Sequence, residues 1–239
     1  MATQRKSERG QTEERSKREE RADRILDAAG ELMLRWGYNK TTIDDIARYA
    51  GVAKGTIYLH WKTREALFEA VLERELAALL RELEAAVRRD PENALPHALG
   101  RLYFQSIMAR PLLRAFFTLD LKLLGKLAHS QQMRTAPIDQ MRVEYIRLLM
   151  EHGFVRPDLP PEDLAYAMRT IIVGFFLAEP VFDDVDQPSV ERKGELLELT
   201  LQRTFGLSRR PSKEAVQAIA NHVRRMFAEV LENVAQASR

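Results

Sequence analysis

The sequence predicts an all-α protein with a small three-helix head at the N-terminus and a larger helical body after it. Three observations predict this. Apolar residues recur at helical spacing along most of the 239-residue chain, with no convincing period-two alternation. Proline, glycine and polar clusters fall between the periodic runs. One short stretch, Thr42 to Trp61, places two brief apolar-faced runs around Gly51 at helix-turn-helix spacing.

The elements follow in order. Residues 1–18 are almost wholly polar and of mixed charge, so they bury nothing and are expected to form a disordered arm. Arg5, Lys6, Arg9, Lys17 and Arg18 are suited to touching phosphates, but interleaved glutamates weaken that reading. The head occupies 19–64. Ile25, Ala29, Leu32 and Trp36 mark its first helix, which Gly37 stops. Short helices are predicted within 43–50 and 54–59. The body occupies 65–239. A long helix runs from Arg64 to about Arg89 and carries Leu67, Phe68, Val71, Leu72, Leu76, Leu79 and Leu83 on one side. Asp90-Pro91 ends it, because a residue before proline is pushed out of the helical region. Further helices are predicted at about 92–109, 112–129, 137–152, 162–178, 189–205 and 213–236. Pro137 and Pro161 suit first-turn positions, where a missing amide donor costs nothing.

Composition excludes several classes. The chain has no cysteine, so disulfides, thiolate zinc sites and cysteine nucleophiles are ruled out. Its longest apolar run, Ile171 to Ala178, falls far short of the ~20 residues that span a bilayer. With a charged start and no apolar signal segment, a cytoplasmic protein without membrane partners is expected. The net charge of +2 hides an asymmetry. Met1 to Lys62 holds 13 Lys and Arg against 10 Asp and Glu, whereas the remainder holds 24 against 25. The start is mildly basic, as a nucleic-acid face would be.

In the central stretch, Thr42 is placed to cap one short helix, with Asp45 three residues on near its positive end. Ile46, Ala50, Val52 and Ile57 supply the apolar faces, and Ala47 is small where the helices cross. Gly51 gives the turn its backbone freedom. The second helix then presents Lys54, Thr56 and His60 outward, with Tyr58 to one side. These groups reach phosphates and base edges from a major groove. Gly55 removes a side chain where the helix meets the duplex.

Here the chain resembles the TetR family of bacterial transcriptional regulators. The likeness runs from about Arg24 to Leu72 through Ile25-Leu26-Asp27-Ala28-Ala29, Gly37-Tyr38, Thr42, Asp45-Ile46-Ala47, Ala50-Gly51-Val52, Gly55-Thr56-Ile57-Tyr58, His60-Trp61 and Glu65-Ala66-Leu67. Ala53 stands where a capping serine is usual, Trp61 where phenylalanine is usual, and Thr63-Arg64 in place of serine–lysine. The resemblance implies a homodimer whose two heads enter successive major grooves of a palindromic operator. It implies phosphate-positioning roles for Thr42, Tyr58, Lys62 and Arg64, and base contacts from Lys54, Gly55 and Thr56. It further implies a repressor released by a small-molecule effector that binds the body.

Pocket residues are expected among Phe104, Met108, Phe116, Phe117, Asp120, Met141, Tyr145 and Phe175, with Leu119, Leu123 and Met133 nearby in sequence. Largely apolar walls with few polar groups suit a hydrophobic ligand; plain core is the alternative. Ile171, Gly174, Leu197 and Leu201 are expected at the dimer interface. A glycine within a helix costs about 1 kcal/mol, which a close helix approach would offset. An ordinary intrachain core accounts for the same pattern. The apolar stripe Val216, Ile219, Ala220, Val223, Phe227, Val230 and Leu231 belongs to a last helix that packs on the body or adds to the dimer.

Two other functions leave different marks on a sequence. An enzyme finds no support: His60, His97, His129, His152 and His222 form no close metal pair, and no phosphate loop or nucleophile elbow occurs. No metal, cofactor or catalytic residue is expected. A ligand-independent architectural DNA-binding protein differs in binding with little sequence preference.

Overall fold

Gly37 and Gly51 both adopt left-handed backbone angles, with φ of +77° and +66°, and between them they set the geometry of the head. The structure, a computed structural model, describes residues 2–129, 138–182, 187–207 and 212–237, and the side chains of these except 2–15, 129, 138–141 and 234–237. The described residues are helical with no strand; Val155 and Gly206 form an isolated bridge. The helices are α1 (Ala2–Trp36), α2 (Ile43–Ala50), α3 (Lys54–His60), α4 (Arg64–Arg89), α5 (Pro96–Met108), α6 (Pro111–Phe117), α7 (Leu121–Leu124), α8 (Ile138–Glu151), α9 (Pro161–Ala178), α10 (Val190–Phe205) and α11 (Lys213–Ala237). Short 3-10 segments cover Pro91–Ala94 and Gly125–His129.

The chain forms two compact units, Met1–Leu72 with Leu121–Ala128, and Glu73–Asp120 with His129–Arg239. The first unit exceeds the 19–64 head expected from sequence, since it takes in the start of α4 and a segment from much later in the chain. Ile25, Leu32, Met33, Ile46, Ile57, Leu67, Phe68 and Leu72 are fully or almost fully buried in its core. Burying each such side chain stabilises by roughly 1.5–3 kcal/mol. The Tyr38 ring meets Phe68 edge-on, with centroids 5.2 Å apart. Its backbone amide donates to Leu123 O at 2.7 Å. A Cβ at Gly37 would stand 3.0 Å from Lys122 O, so only glycine suits both the angle and that close approach.

Two expectations are corrected here. Residues 2–18 continue α1 as helix instead of forming a disordered arm. They have no apolar face to bury, but they contain no proline and many Arg, Lys, Glu and Gln. Such residues extend a helix already nucleated by the packed turns after them. The predicted helix 112–129 breaks into α6, α7 and a 3-10 segment. Leu119 lies at φ +56°, and the Asp120 amide reaches back to Ala115 O at 2.8 Å.

The second unit buries Leu79, Leu83, Val87, Phe104, Ile107, Leu113, Ile146, Leu149, Leu164, Phe176, Leu197, Leu201 and Phe205. The last helix joins this core through Val216, Ile219, Ala220, Val223, Phe227 and Val230. That decides between the two sequence readings for this stripe: it packs on its own body. Arg224 Nε donates to Glu84 Oε1 at 3.0 Å and ties α11 to α4. Pro161 sits in the first turn of α9 as expected, whereas Pro137 lies outside the described residues.

Candidate nucleic-acid interface

The α2–α3 corner is held from both sides. At the start of α2, Thr42 Oγ1 accepts from the Asp45 amide at 3.2 Å and donates to Asp45 Oδ2 at 2.5 Å. That hydroxyl contact, together with Arg48, holds the Asp45 carboxyl below its ordinary pKa. At the end of α2, the Val52 amide donates to Ala47 O at 3.0 Å and the Gly51 amide to Arg48 O at 3.3 Å. This pair of bonds is a Schellman cap, which needs the left-handed residue that Gly51 provides. Ile46 and Ile57 are fully buried and Ala47 nearly so, which locks α2 against α3. Ala53, at the N-cap of α3, makes no side-chain capping bond.

The corner leaves one end of α3 open. Lys54 and Gly55 are exposed, and nothing lies within 4 Å of where a Gly55 Cβ would stand. Lys54 Nζ pairs with Asp44 Oδ2 at 2.8 Å, a contact that raises the lysine pKa. Thr56 is half-buried. Tyr58 is exposed, and Lys62 Nζ approaches its carbonyl at 3.4 Å. Lys54, Gly55, Tyr58 and Lys62 are thus exposed on α3 and just after it, and Thr42 is exposed at the start of α2.

Two residues expected there are placed differently. His60 is half-buried, with its ring 5.2 Å from that of Trp61. Burial pushes its pKa down, and the charges of Arg18 and Arg21 act in the same direction. Its position three residues after the fully buried Ile57 sets it beside the packed side of α3. Arg64 is committed inside the head. Its Nη1 donates to Tyr38 O at 3.2 Å and Thr41 O at 3.1 Å, and the guanidinium lies 4.1 Å from the Tyr38 ring centre. These contacts close the α1–α2 connection and occupy part of the guanidinium's donor set within the head. Asp44 is the residue that sequence reading missed. Its partner is ten positions on, a spacing that no helical period announces.

In the second unit, the expected pocket residues divide. Phe104 meets Phe175 and Phe176 at centroid distances of 6.1 and 5.1 Å. Phe117 meets Phe116 at 5.7 Å, Tyr103 at 5.8 Å and Phe176 at 5.1 Å. Edge-on and tilted contacts of this kind fill a core, and Met108 is buried in that same core. Tyr145 lies apart from these rings: its hydroxyl donates to Ala94 O at 2.6 Å and its ring stacks on His222. Asp120 is exposed, because the turn after α6 carries it to the surface. The Met141 side chain and Met133 lie outside the described residues.

The dimer expectations also divide. Leu197 and Leu201 are 0% and 2% exposed within one chain, which corrects their assignment to a subunit interface. The physical reason is close packing of α10 on α5. A Cβ at Gly100 would stand 2.6 Å from Leu201 Cδ1, and one at Gly194 2.6 Å from Gln105 Nε2. Gly174 is exposed, with nothing within 4 Å of its missing Cβ, and Ile171 is partly exposed. On the same helix Tyr166 is 64% exposed and Val173 40%.

Comparison with known proteins gives a consistent result. Residues 25–71 match the family described as bacterial regulatory proteins, tetR family. The uncharacterized HTH-type transcriptional regulator YvkB of Bacillus subtilis is 27% identical over 158 residues, covering 64% of this chain and 80% of its own. The HTH-type transcriptional regulator QacR of Staphylococcus aureus is 43% identical over 53 residues, covering 22% of this chain and 28% of its own. Among solved structures, NalD, the secondary repressor of the MexAB-OprM multidrug efflux pump in Pseudomonas aeruginosa, aligns with a TM-score of 0.56. It is 24% identical and covers 80% of this chain and 98% of its own.

Proposed function

This chain belongs to the tetR family of bacterial regulatory proteins, and from that premise we propose that it is a homodimeric repressor of a palindromic operator, released by a small hydrophobic effector. As a member of the family it is a DNA-binding transcriptional regulator; the palindrome, the dimer, the repression and the effector are the proposal. The observation that carries it is the Schellman-capped corner that leaves Lys54, Gly55, Tyr58 and Lys62 open on one end of α3. N-terminal residues of a recognition helix contact base edges, while flanking groups such as Tyr58 and Lys62 fix register on phosphates.

A second copy fits the exposed face of α9, where Tyr166, Val173 and Gly174 lie open. Two heads would then read two half-sites, since one short helix specifies few bases. An apolar effector would have to enter by parting the Phe104, Phe117 and Phe176 rings, which pack on one another in the second unit. An effector shifts the equilibrium only through differential affinity for two states, and α4 is one unbroken helix from Arg64 to Arg89 through which such a change can pass. A regulator of chromosomal DNA would act in the cytoplasm. Among the described residues no helix is long and apolar enough to cross a membrane. The named relatives are transcriptional regulators, in keeping with binding rather than catalysis.

The test is selection of bound duplexes from random DNA by the purified protein. Enrichment of two inverted half-sites about one helical turn apart is expected. Recovery of unrelated sequences would favour the architectural alternative.

A further inference from the structure

Lys54 opens α3 and Asp44 lies in the first turn of α2, and the Gly51 turn brings Lys54 Nζ to 2.8 Å from Asp44 Oδ2. The two side chains remain 50% and 62% exposed. They stand beside Gly55, where the helix is open. The corner thus presents a donor next to an acceptor, each with spare capacity. An ammonium has three protons, of which Asp44 takes one, and a carboxylate has about four lone-pair sites, of which Lys54 uses one. An ion pair this exposed adds little stability, so its consequence lies in what it meets.

We propose that Asp44 is a specificity-determining residue which, with Lys54, reads one G·C pair of the bound site. Lys54 donates to guanine O6 or N7 and Asp44 accepts from the cytosine N4 amino group. Those atoms lie side by side on the major-groove edge of a single base pair. The side chains offer the complementary order at matching separation. An A·T pair in the same orientation puts a donor against the ammonium and an acceptor against the carboxylate. A T·A pair restores the order but sets a methyl group where guanine has N7. Where the G·C pair is absent, Asp44 faces acceptor atoms and phosphates, and it holds Lys54 back from phosphate contact. The inference rests on the reading of α3 as the recognition helix.

The test repeats the random-sequence selection with the full chain and with Asp44→Asn and Lys54→Gln, each checked by thermal melting. The full chain should enrich a site with an invariant G·C position. Both variants should lose the preference there by roughly 5- to 150-fold, the discrimination of one good base contact, and keep the other positions. On random-sequence duplex, Asp44→Asn should bind with a salt dependence steeper by about one phosphate contact, because the freed ammonium neutralises one. A purely helix-capping Asp44 would change melting and neither of these readouts. If Asp44→Asn enriches the same bases at every position, the inference is overturned and the regulator reading stands. If the full chain enriches no sequence at all, both are overturned.

Discussion

The Glu65 carboxylate lies 2.7 Å from the Lys126 ammonium and accepts the Tyr38 hydroxyl at 2.9 Å. It joins the first turn of α4 to the end of α1 and to a segment some sixty residues later, all within the head. Lys126 is the main reason that the Glu65 pKa falls to about 2. A carboxyl depressed on folding contributes stability above its unfolded pKa and loses it as pH falls through the folded one. The contribution is therefore complete above about pH 5 and lost between pH 4.5 and 2. The site is open to solvent, which holds the contribution below about 1 kcal/mol. Urea unfolding of Glu65→Gln should show a small deficit at pH 7 that closes toward pH 2; a deficit growing on acidification would contradict the assignment.

Ala53 caps α3 with a backbone angle suited to a capping side chain, yet bonds none of the open amides. Ala53→Ser should stabilise the head by about 1 kcal/mol, read as a rise of a few degrees in the melting midpoint. An unchanged or lower midpoint would show that a serine hydroxyl adds nothing for the Thr56 amide, which already donates to Ala53 O at 2.9 Å.

Arg64 and Lys62 are two residues apart and do different things. Arg64→Ala removes two hydrogen bonds to backbone carbonyls and a ring contact, so it should destabilise the head by about 1–3 kcal/mol. Lys62→Ala should change stability by less than about 0.5 kcal/mol. It should weaken binding to every duplex alike and lower the salt slope by about one. Paired melting and titration measurements check both, and a reversal of the two patterns would refute the assignment.

Gly174 is a mid-helix glycine with open space at its missing Cβ. Gly174→Ala should stabilise isolated α9 by about 1 kcal/mol. If a second copy approaches there, the same change should weaken the dimer. Sedimentation across a concentration series separates these effects. Association unchanged in the variant would place the dimer contact elsewhere.

What the sequence made legible was local. Gly37, Gly51 and Pro161 announce backbone requirements that few other residues meet, and each stands at the helix end expected. The spacing of Ile46, Ile57, Leu67 and Phe68 marks which faces are buried. Periodicity does not say against what. Leu197 and Leu201 form a genuine apolar stripe, but glycines at 100 and 194 let α5 cover it within the chain. Arg64 reads as a surface cation until Tyr38 is seen beneath it. The docking of Leu121–Ala128 on the head depends on a contact between distant positions, so the residues between α6 and α8 read only as one more amphipathic run.

Sequence reading by α3 requires different equilibrium affinities, at one fixed salt concentration, for the selected duplex and for a scrambled duplex of the same composition. Binding to the selected duplex tighter by about a thousandfold or more is expected of specific recognition. Affinities within roughly tenfold of each other, falling together as salt rises, would leave only the phosphate contribution and contradict it.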